Sequence, residues 1–600
     1  MSRSTPARRS GRTWIALLAA VTLAVAACSG GGDGEEEQQA DHNQGNQAAV
    51  PTTAPVTVTY ASAREFSAYN NNTANAASSA NAVVLNQVLR GFWYYGPEGD
   101  RRADTEFGSF EQVGSNPLTV EYTFADGAVW SDGEPIDCDD AVLAWAANAG
   151  RWPTGEKDQY TGAKLTAFSS NRPGAWEDAQ IPECSDGSRA FTVTFDRVFA
   201  DWSSLFGAGT ILPAHIVEKQ TGVKDLISAV KAGKSATMKK LGKFYNTGWE
   251  FTPGKYETAI APSAGPYQVA SWKAGDAVTL EPNPKWWGAP PSVRNIVVKV
   301  VPASEQAEAL VDGDVQVIDP TPTEGILKTL DRAGDAVDVT SHDSFVYEHL
   351  DFNVDGVFKS RALREAFAKC VPRQQIVDEL IKPVNPQAQV QESRFRLPYQ
   401  QGYEQFAQTG GQDYDAVDVE GARKILKDEK KLGTRVELSY LTPDLRREQV
   451  ADLIKKSCDK AGFKVVDSGS YTFYTSELKT GDFDVALFSW AGTTLVTQPY
   501  SVYLGKGPEN YGGYSDEDVD LLLKRLYSEL DPDRQESILE ELDTELWDAV
   551  ATVPLFAYPG MLATSSQAQG VQYNPTLAGV TYNANTWTLA STPSPSPSSP

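Results

Sequence analysis

The strongest constraint on this chain is a stretch of about 535 residues, 56–590, set between two segments that cannot pack, because single cores stop growing near roughly 250–300 residues. Two or more lobes are therefore expected. In front lies SGGGDGEEEQQADHNQGNQAAVPTTAP, from residue 29 to about 55, with almost no large apolar side chain to offset the entropy of ordering. It reads as a flexible tether. The last ten residues, STPSPSPSSP, form a semi-extended Pro/Ser tail of the same kind.

The N-terminus sets the compartment. Arg3, Arg8, Arg9 and Arg12 precede an apolar run from Trp14 to Ala27 that closes on Val25-Ala26-Ala27-Cys28, the pattern of a secretory signal. The run of about 14 residues is shorter than the ~20 a membrane-crossing helix needs. Val25–Cys28 resembles the bacterial lipobox, which implies that the Cys28 thiol carries the lipid and becomes the mature N-terminus. The plainer alternative is cleavage at Ala27 with secretion. Arg8-Arg9 is followed by Ser-Gly-Arg rather than an apolar pair, so it reads as an ordinary basic leader and not a twin-arginine signal.

A formal net charge of −26 makes nucleic acid a poor partner, and it equally suits a soluble surface protein that must stay dispersed. Charge does not name the ligand. With Cys28 assigned to lipid, Cys138, Cys184, Cys370 and Cys458 form an even set, which pairs in an oxidising compartment and leaves three connectivities open. No Cys/His spacing points to zinc, and no metal or cofactor is expected.

Strand-like and helix-like patterns alternate along the body, as in α/β proteins. Val56–Tyr60 reads as a first strand. A second strand signal, Thr119–Phe124, leads into the turn Trp130-Ser131-Asp132-Gly133. A helix then starts at Asp137, with Asp140 three residues on and Val142, Trp145, Ala146 and Ala149 on one face. Ser515-Asp516-Glu517-Asp518 caps a helix that turns Val519, Leu522, Leu523 and Leu526 inward, and Asp531-Pro532 opens another carrying Ile538, Leu539, Leu542 and Leu546.

These residues carry a resemblance that spans nearly the whole mature chain. YTFADGAVWSDGEPIDCDDAVLAW looks like the hallmark of the family 5 extracellular solute-binding proteins, the oligopeptide/dipeptide-binding lipoproteins of ABC transporters. Matching segments follow in family order: ILPAHI at 211–216, PSAGPYQVASWKAGDAVTLEPNPKWWG at 262–288, 309–315, Phe352-Asn353, SRALREAFAKCVPRQQIV at 360–377, FDVALFSW at 483–490 and VPLF at 553–556. The opening phrase VVLNQVLRGFWYYGPEG is similar to an actinobacterial branch.

The resemblance implies an α/β protein with the two-lobed periplasmic-binding-protein fold of the large three-domain type (type II, cluster C). Its expected division is a signal peptide at 1–27, a lipid-anchored linker at 28–56 and lobe I at 57–340 with a subdomain near 95–185. Lobe II then covers 341–555, a return to lobe I covers 556–590, and the tail is 591–600. That division favours Cys138 with Cys184 and Cys370 with Cys458, each pair within one lobe. The implied function is capture of an oligopeptide-like or other small amphiphilic ligand between hinged lobes, for delivery to ABC permease subunits at the outer face of the cytoplasmic membrane. The protein is expected as a monomer, held to the membrane by its lipid only. A second reading is an envelope lipoprotein that binds a polar glycolipid, such as a phosphatidylinositol mannoside, without transport.

An enzyme finds little support. His42, His215, His342 and His349 read as structural or solvated, and no G-x-S-x-G elbow or H-E-x-x-H helix occurs. Gly233-Lys234-Ser235 lacks the first glycine of a phosphate loop and reads as part of a lysine-rich surface helix. For the ligand site, rigid aromatic faces are the best candidates. Trp490 occupies the position of the family's cleft tryptophan, followed by Tyr500 and Tyr503, with Trp93, Tyr94 and Tyr95 opposite. Asn70 and Asn71 are candidate amides on the cleft floor, and Arg394 and Arg396 fall where some relatives hold a ligand carboxylate. Peptide-binding members commonly place an aspartate for the α-ammonium just after the tryptophan, whereas here Thr493 stands at that position. A charge-assisted hydrogen bond is worth roughly 1.5–3 kcal/mol against about 0.5–1.5 for a neutral one, so a free N-terminus should be selected weakly unless Asp482 or Asp484 substitutes.

Overall fold

The computed structural model describes residues 56–157, 164–170, 175–491 and 495–590. Cys28, the tether, the tail and Thr493 lie outside the described residues.

A ten-stranded sheet organises the molecule. Its order runs Lys464–Ser470, Arg435–Leu441, Val485–Ala491, Val337–Phe352, Thr552–Ser565, Val317–Ile318, Thr57–Ser62, Asn295–Val300, Ala277–Pro282 and Tyr267–Lys273. Thr57–Ser62 lies parallel to Asn295–Val300, and Arg435–Leu441 parallel to Lys464–Ser470. Arg435–Leu441 lies inside the sheet and is mostly buried, whereas Lys464–Ser470 is the edge strand and is largely half-buried or exposed.

Two long strands join one end of the sheet to the other. Residues 337–343 pair with 559–565 beside the first-half strands, and after a slip in register 347–351 pair with 552–557 beside Val485–Ala491. The ladder between them is interrupted from Asp343 to Tyr347. Two principal cores flank this interruption. One gathers side chains from Val58 to Val317 together with Leu562, Val580, Ala584 and Trp587; the other runs from Leu350 to Phe556. The C-terminal segment thus returns to pack in the first core.

Within the first core, the strands Gly108–Ser115, Leu118–Phe124 and Ala190–Thr194 form a small sheet around Phe92, Tyr122, Phe191 and Phe206. Tyr122 and Phe191 stack at 5.0 Å, one of several ring contacts that add specific geometry to burial.

The helix after the Trp130 turn covers Cys138–Asn148. Asp137 caps it, and Asp140 returns a bond to the Asp137 amide, completing a capping box. The Ala-rich sequence was expected to bury one face, yet every residue of this helix except Asp139 is buried, because small side chains let neighbours pack all round it. Gly133 adopts φ +101, which the turn requires. Asp516 caps Glu517–Ser528 and Asp531 caps Pro532–Asp548, with the expected leucines inward. Gly233-Lys234-Ser235 does not lie within one helix: Gly233 ends Leu226–Ala232 in the left-handed region, and Ser235–Thr247 begins after it. Cys138 is bonded to Cys184, and Cys370 to Cys458.

Candidate functional site

Three adjoining cavities lie along the long strands and the segments that flank them. The largest, about 920 Å³, is walled by Trp93, Tyr94, Trp176 and Tyr582, by Asn71 and Asn72, and on the far side by Leu495. A second, about 740 Å³, lies along the interrupted ladder and is lined by Glu98, Asp338, His342, Asp343, Tyr399 and Tyr573. The third, about 220 Å³, is lined by Phe345, Tyr347, Arg394, Arg396, Trp490 and again Leu495. Gly570 and Gln572 line both of the larger cavities, so all three adjoin.

Trp490 lies next to last in the strand Val485–Ala491, opposite Tyr347. Its ring lies parallel to Tyr511 at 6.0 Å and to His349 at 5.9 Å, and its Nε1 is buried without a hydrogen-bond partner. Trp93 is anchored from behind, its Nε1 donating to the Leu205 carbonyl at 2.9 Å, and Tyr94 stacks loosely on Tyr582. Asn71 exchanges hydrogen bonds with the backbone of Ser78, which fixes its amide at the cavity edge.

Other expected residues take different places. Asn70 is buried, donates to the Tyr245 carbonyl and accepts from the amide and side chain of Asn72; it positions Asn72 and is not among the residues lining these three cavities. Tyr503 is buried against Phe395, and Tyr500 packs on Tyr527; neither lines these cavities. Arg394 borders the small cavity, but its guanidinium faces inward. It donates to Asp543 at 2.8 Å, to the Thr552 hydroxyl and carbonyl at 2.7 Å each and to the Leu546 carbonyl at 3.4 Å, and it lies over Trp547. Those contacts occupy the donors that a ligand carboxylate would need. Arg396 is paired with Glu536 and lies over Phe406.

The second cavity is acidic. Burial pushes the Asp343 carboxyl up to about 6 against the donation it receives from Asn385 at 2.8 Å. His342 stacks flat on Tyr573 at 4.4 Å, and burial lowers its pKa.

A junction between segments far apart in the chain is not legible in the sequence. Asp201 is fully buried; its carboxylate pairs with Arg101 at 3.1 Å and accepts from the Val496 amide, the Thr497 amide and the Thr497 hydroxyl at 3.2, 2.9 and 2.7 Å. Beside it, the Ala200 amide donates to the Tyr527 carbonyl, and the Tyr527 hydroxyl donates to Asp178 at 2.6 Å. Nothing local marks Asp201, because its partners lie 100 positions away at Arg101 and almost 300 away at Val496 and Thr497. Asn72 did carry a signal, being the third of the run Asn70-Asn71-Asn72. Among the described residues no group of three or more His, Cys, Asp or Glu is placed to hold a metal ion, and no helix is long and apolar enough to cross a membrane.

Residues 108–512 match the model of the bacterial extracellular solute-binding proteins, family 5. An uncharacterized lipoprotein of Mycobacterium tuberculosis is 30% identical over 87% of this chain and 91% of its own length. The oligopeptide-binding protein OppA of Mycobacterium bovis is 24% identical over 81% and 77%. Among solved structures, the periplasmic EDTA-binding protein EppA superposes with a TM-score of 0.74 at 23% identity, over 90% of this chain and 97% of that one.

Proposed function

Because the chain belongs to the bacterial extracellular solute-binding proteins of family 5, we propose that it is the lipid-anchored receptor of an ABC importer and carries an oligopeptide-like ligand between two hinged lobes. The observation that carries this reading is the cleft itself. Three adjoining cavities lie along the two long strands that run from one core to the other, and those strands lose their pairing beside the cavities, at Asp343–Tyr347. A hinge needs such a place, where a few residues absorb a backbone change while the packed halves stay intact. The lobes are then 57–340 with 556–590, and 341–555.

The oligopeptide-binding relative supports a peptide-like cargo, and the lipoprotein relative supports anchoring through Cys28. The ligand must favour the closed arrangement over the open one, or closure would not report its presence to a permease. On this reading the protein binds its ligand without transforming it.

The test is native mass spectrometry of the full protein recovered from membranes of its own host, beside Cys28→Ala. The expected wild-type result is a membrane-bound protein carrying an intact species of oligopeptide mass, and Cys28→Ala should shift the protein to the medium. Equal membrane retention of the variant overturns the anchor. A bound species that the pure protein converts to product overturns the receptor reading.

A further inference from the structure

The wall of the largest cavity has an unusual balance of charge. Every ionised side chain on it is answered by another: Arg90 by Asp104 at 2.5 Å and Glu106 at 3.7 Å, and Arg102 by Asp100 at 2.7 Å. The remaining polar side chains are neutral: amides, among them Asn71, Asn72, Asn86 and Asn585, and hydroxyls such as those of Ser204 and Thr586. A charged group entering this space would lose water and meet no counter-ion, a cost of several kcal/mol unless it is paired.

One of these amides is incomplete. Asn72 is 1% exposed, and its Nδ2 donates to Asn70 Oδ1 at 3.0 Å and to the Gly209 carbonyl at 2.8 Å. Those two acceptors fix the orientation of the amide, since the flipped form would set oxygen against oxygen. Asn72 Oδ1 is left buried with no partner. Buried acceptors are nearly always satisfied, and Asn72 is one of the residues lining this cavity, so a donor carried by a ligand is a partner that would complete it. Tyr94 and Tyr582 stand on the same wall, their rings 6.5 Å apart and 29° from parallel, and offer flat apolar faces.

We propose that the largest cavity binds an uncharged part of the ligand, donating an N–H or O–H to Asn72 Oδ1 and resting a flat face against Tyr94 and Tyr582. Two sources share that chemistry: a neutral stretch of peptide, or a hydroxyl-bearing saccharide ring. The proposal rests on the solute-receptor reading for the site, and it narrows what that site accepts.

Calorimetry on the full protein decides it, with four probes. Three are libraries of end-blocked hexapeptides of uncharged residues, with each interior position in turn held as Gln, Lys or Glu; the fourth is maltohexaose. At the position that enters the cavity, the Gln library should bind at least tenfold tighter than the Lys and Glu libraries. Asn72→Ala should weaken the Gln library about tenfold. Asn585→Asp, at a half-buried wall position, adds one unanswered carboxylate; it should bring the Lys library level with the Gln library and weaken the Glu library further, and it decides the case where Asn72→Ala fails to fold. Wild-type protein that takes Lys or Glu as tightly as Gln at every position overturns the proposal and leaves the peptide reading standing. Binding of maltohexaose alone, weakened by Asn72→Ala or Asn585→Asp, supports the neutral site and removes the peptide reading. Failure of all four probes to bind removes both.

Discussion

At the scale of single residues, Arg394 shows what a side chain's identity does not reveal. An arginine near an aromatic cleft is a natural carboxylate ligand, and sequence offers no sign of which way the guanidinium points. In the structure Arg394 and Asp543 are both fully buried and face each other at 2.8 Å, with Trp547 packed beneath the guanidinium. A buried pair of this kind is costly to break, because the surviving charge is left without a partner. Asp543→Ala is therefore expected to cost about 3–5 kcal/mol, measured by urea unfolding, while the double variant Arg394→Met/Asp543→Leu should recover most of that loss. A ligand-binding Arg394 would give the opposite ranking, with little loss of stability and a large loss of affinity. Trp490 was more legible, since its strand pattern and position in FDVALFSW point to the cleft, and its ring does border a cavity.

At the scale of elements, caps and apolar periods were readable because they are local. Asp137, Asp516 and Asp531 each begin the helix that their spacing predicts. Less readable is what a cap residue does beyond its own helix. Asp140 closes the box on Asp137 and also accepts from Trp130 Nε1 at 3.1 Å and from the Ala214 amide at 2.7 Å, tying the Trp130 turn and the ILPAHI helix to one carboxylate. Burial pushes this carboxyl up to about 7. Its unfolded value lies near about 3.9, so the folded chain binds the proton more tightly between those limits. The contribution is fully present below the unfolded value and is lost as pH rises through the folded one. Thermal unfolding from about pH 4 to 7 should accordingly show the wild type losing melting temperature more steeply than Asp140→Asn. Equal slopes would mean that Asp140 stays ionised throughout the window.

At the scale of the whole molecule, the large sheet and the return of the C-terminus emerge only from pairings hundreds of residues apart, such as Val337 with Ser565. Family motifs in order implied that architecture, whereas composition and periodicity alone reach no further than an α/β body with more than one core. The junction at Asp201 belongs to this scale because it joins the first core to the segment that follows the cleft tryptophan. Leu495 lines two cavities, and the next two residues give their amides to Asp201, so whatever displaces this segment also disturbs the joined arrangement. Asp201→Ala removes the acceptor for two amides, one hydroxyl and Arg101, and unsatisfied buried groups cost about 1–3 kcal/mol each. On the proposed hinged reading that penalty falls on the joined state alone, since water would reach the same groups once the halves separate. The ligand-free variant should therefore show a larger radius of gyration than the wild type in solution scattering, and faster hydrogen exchange at Val496 and Thr497, with the exchange of Val485–Ala491 unchanged. If the protected strand loosens equally, Asp201 supports the fold as a whole; an unchanged radius with unchanged exchange would show that the two halves are held together by other contacts.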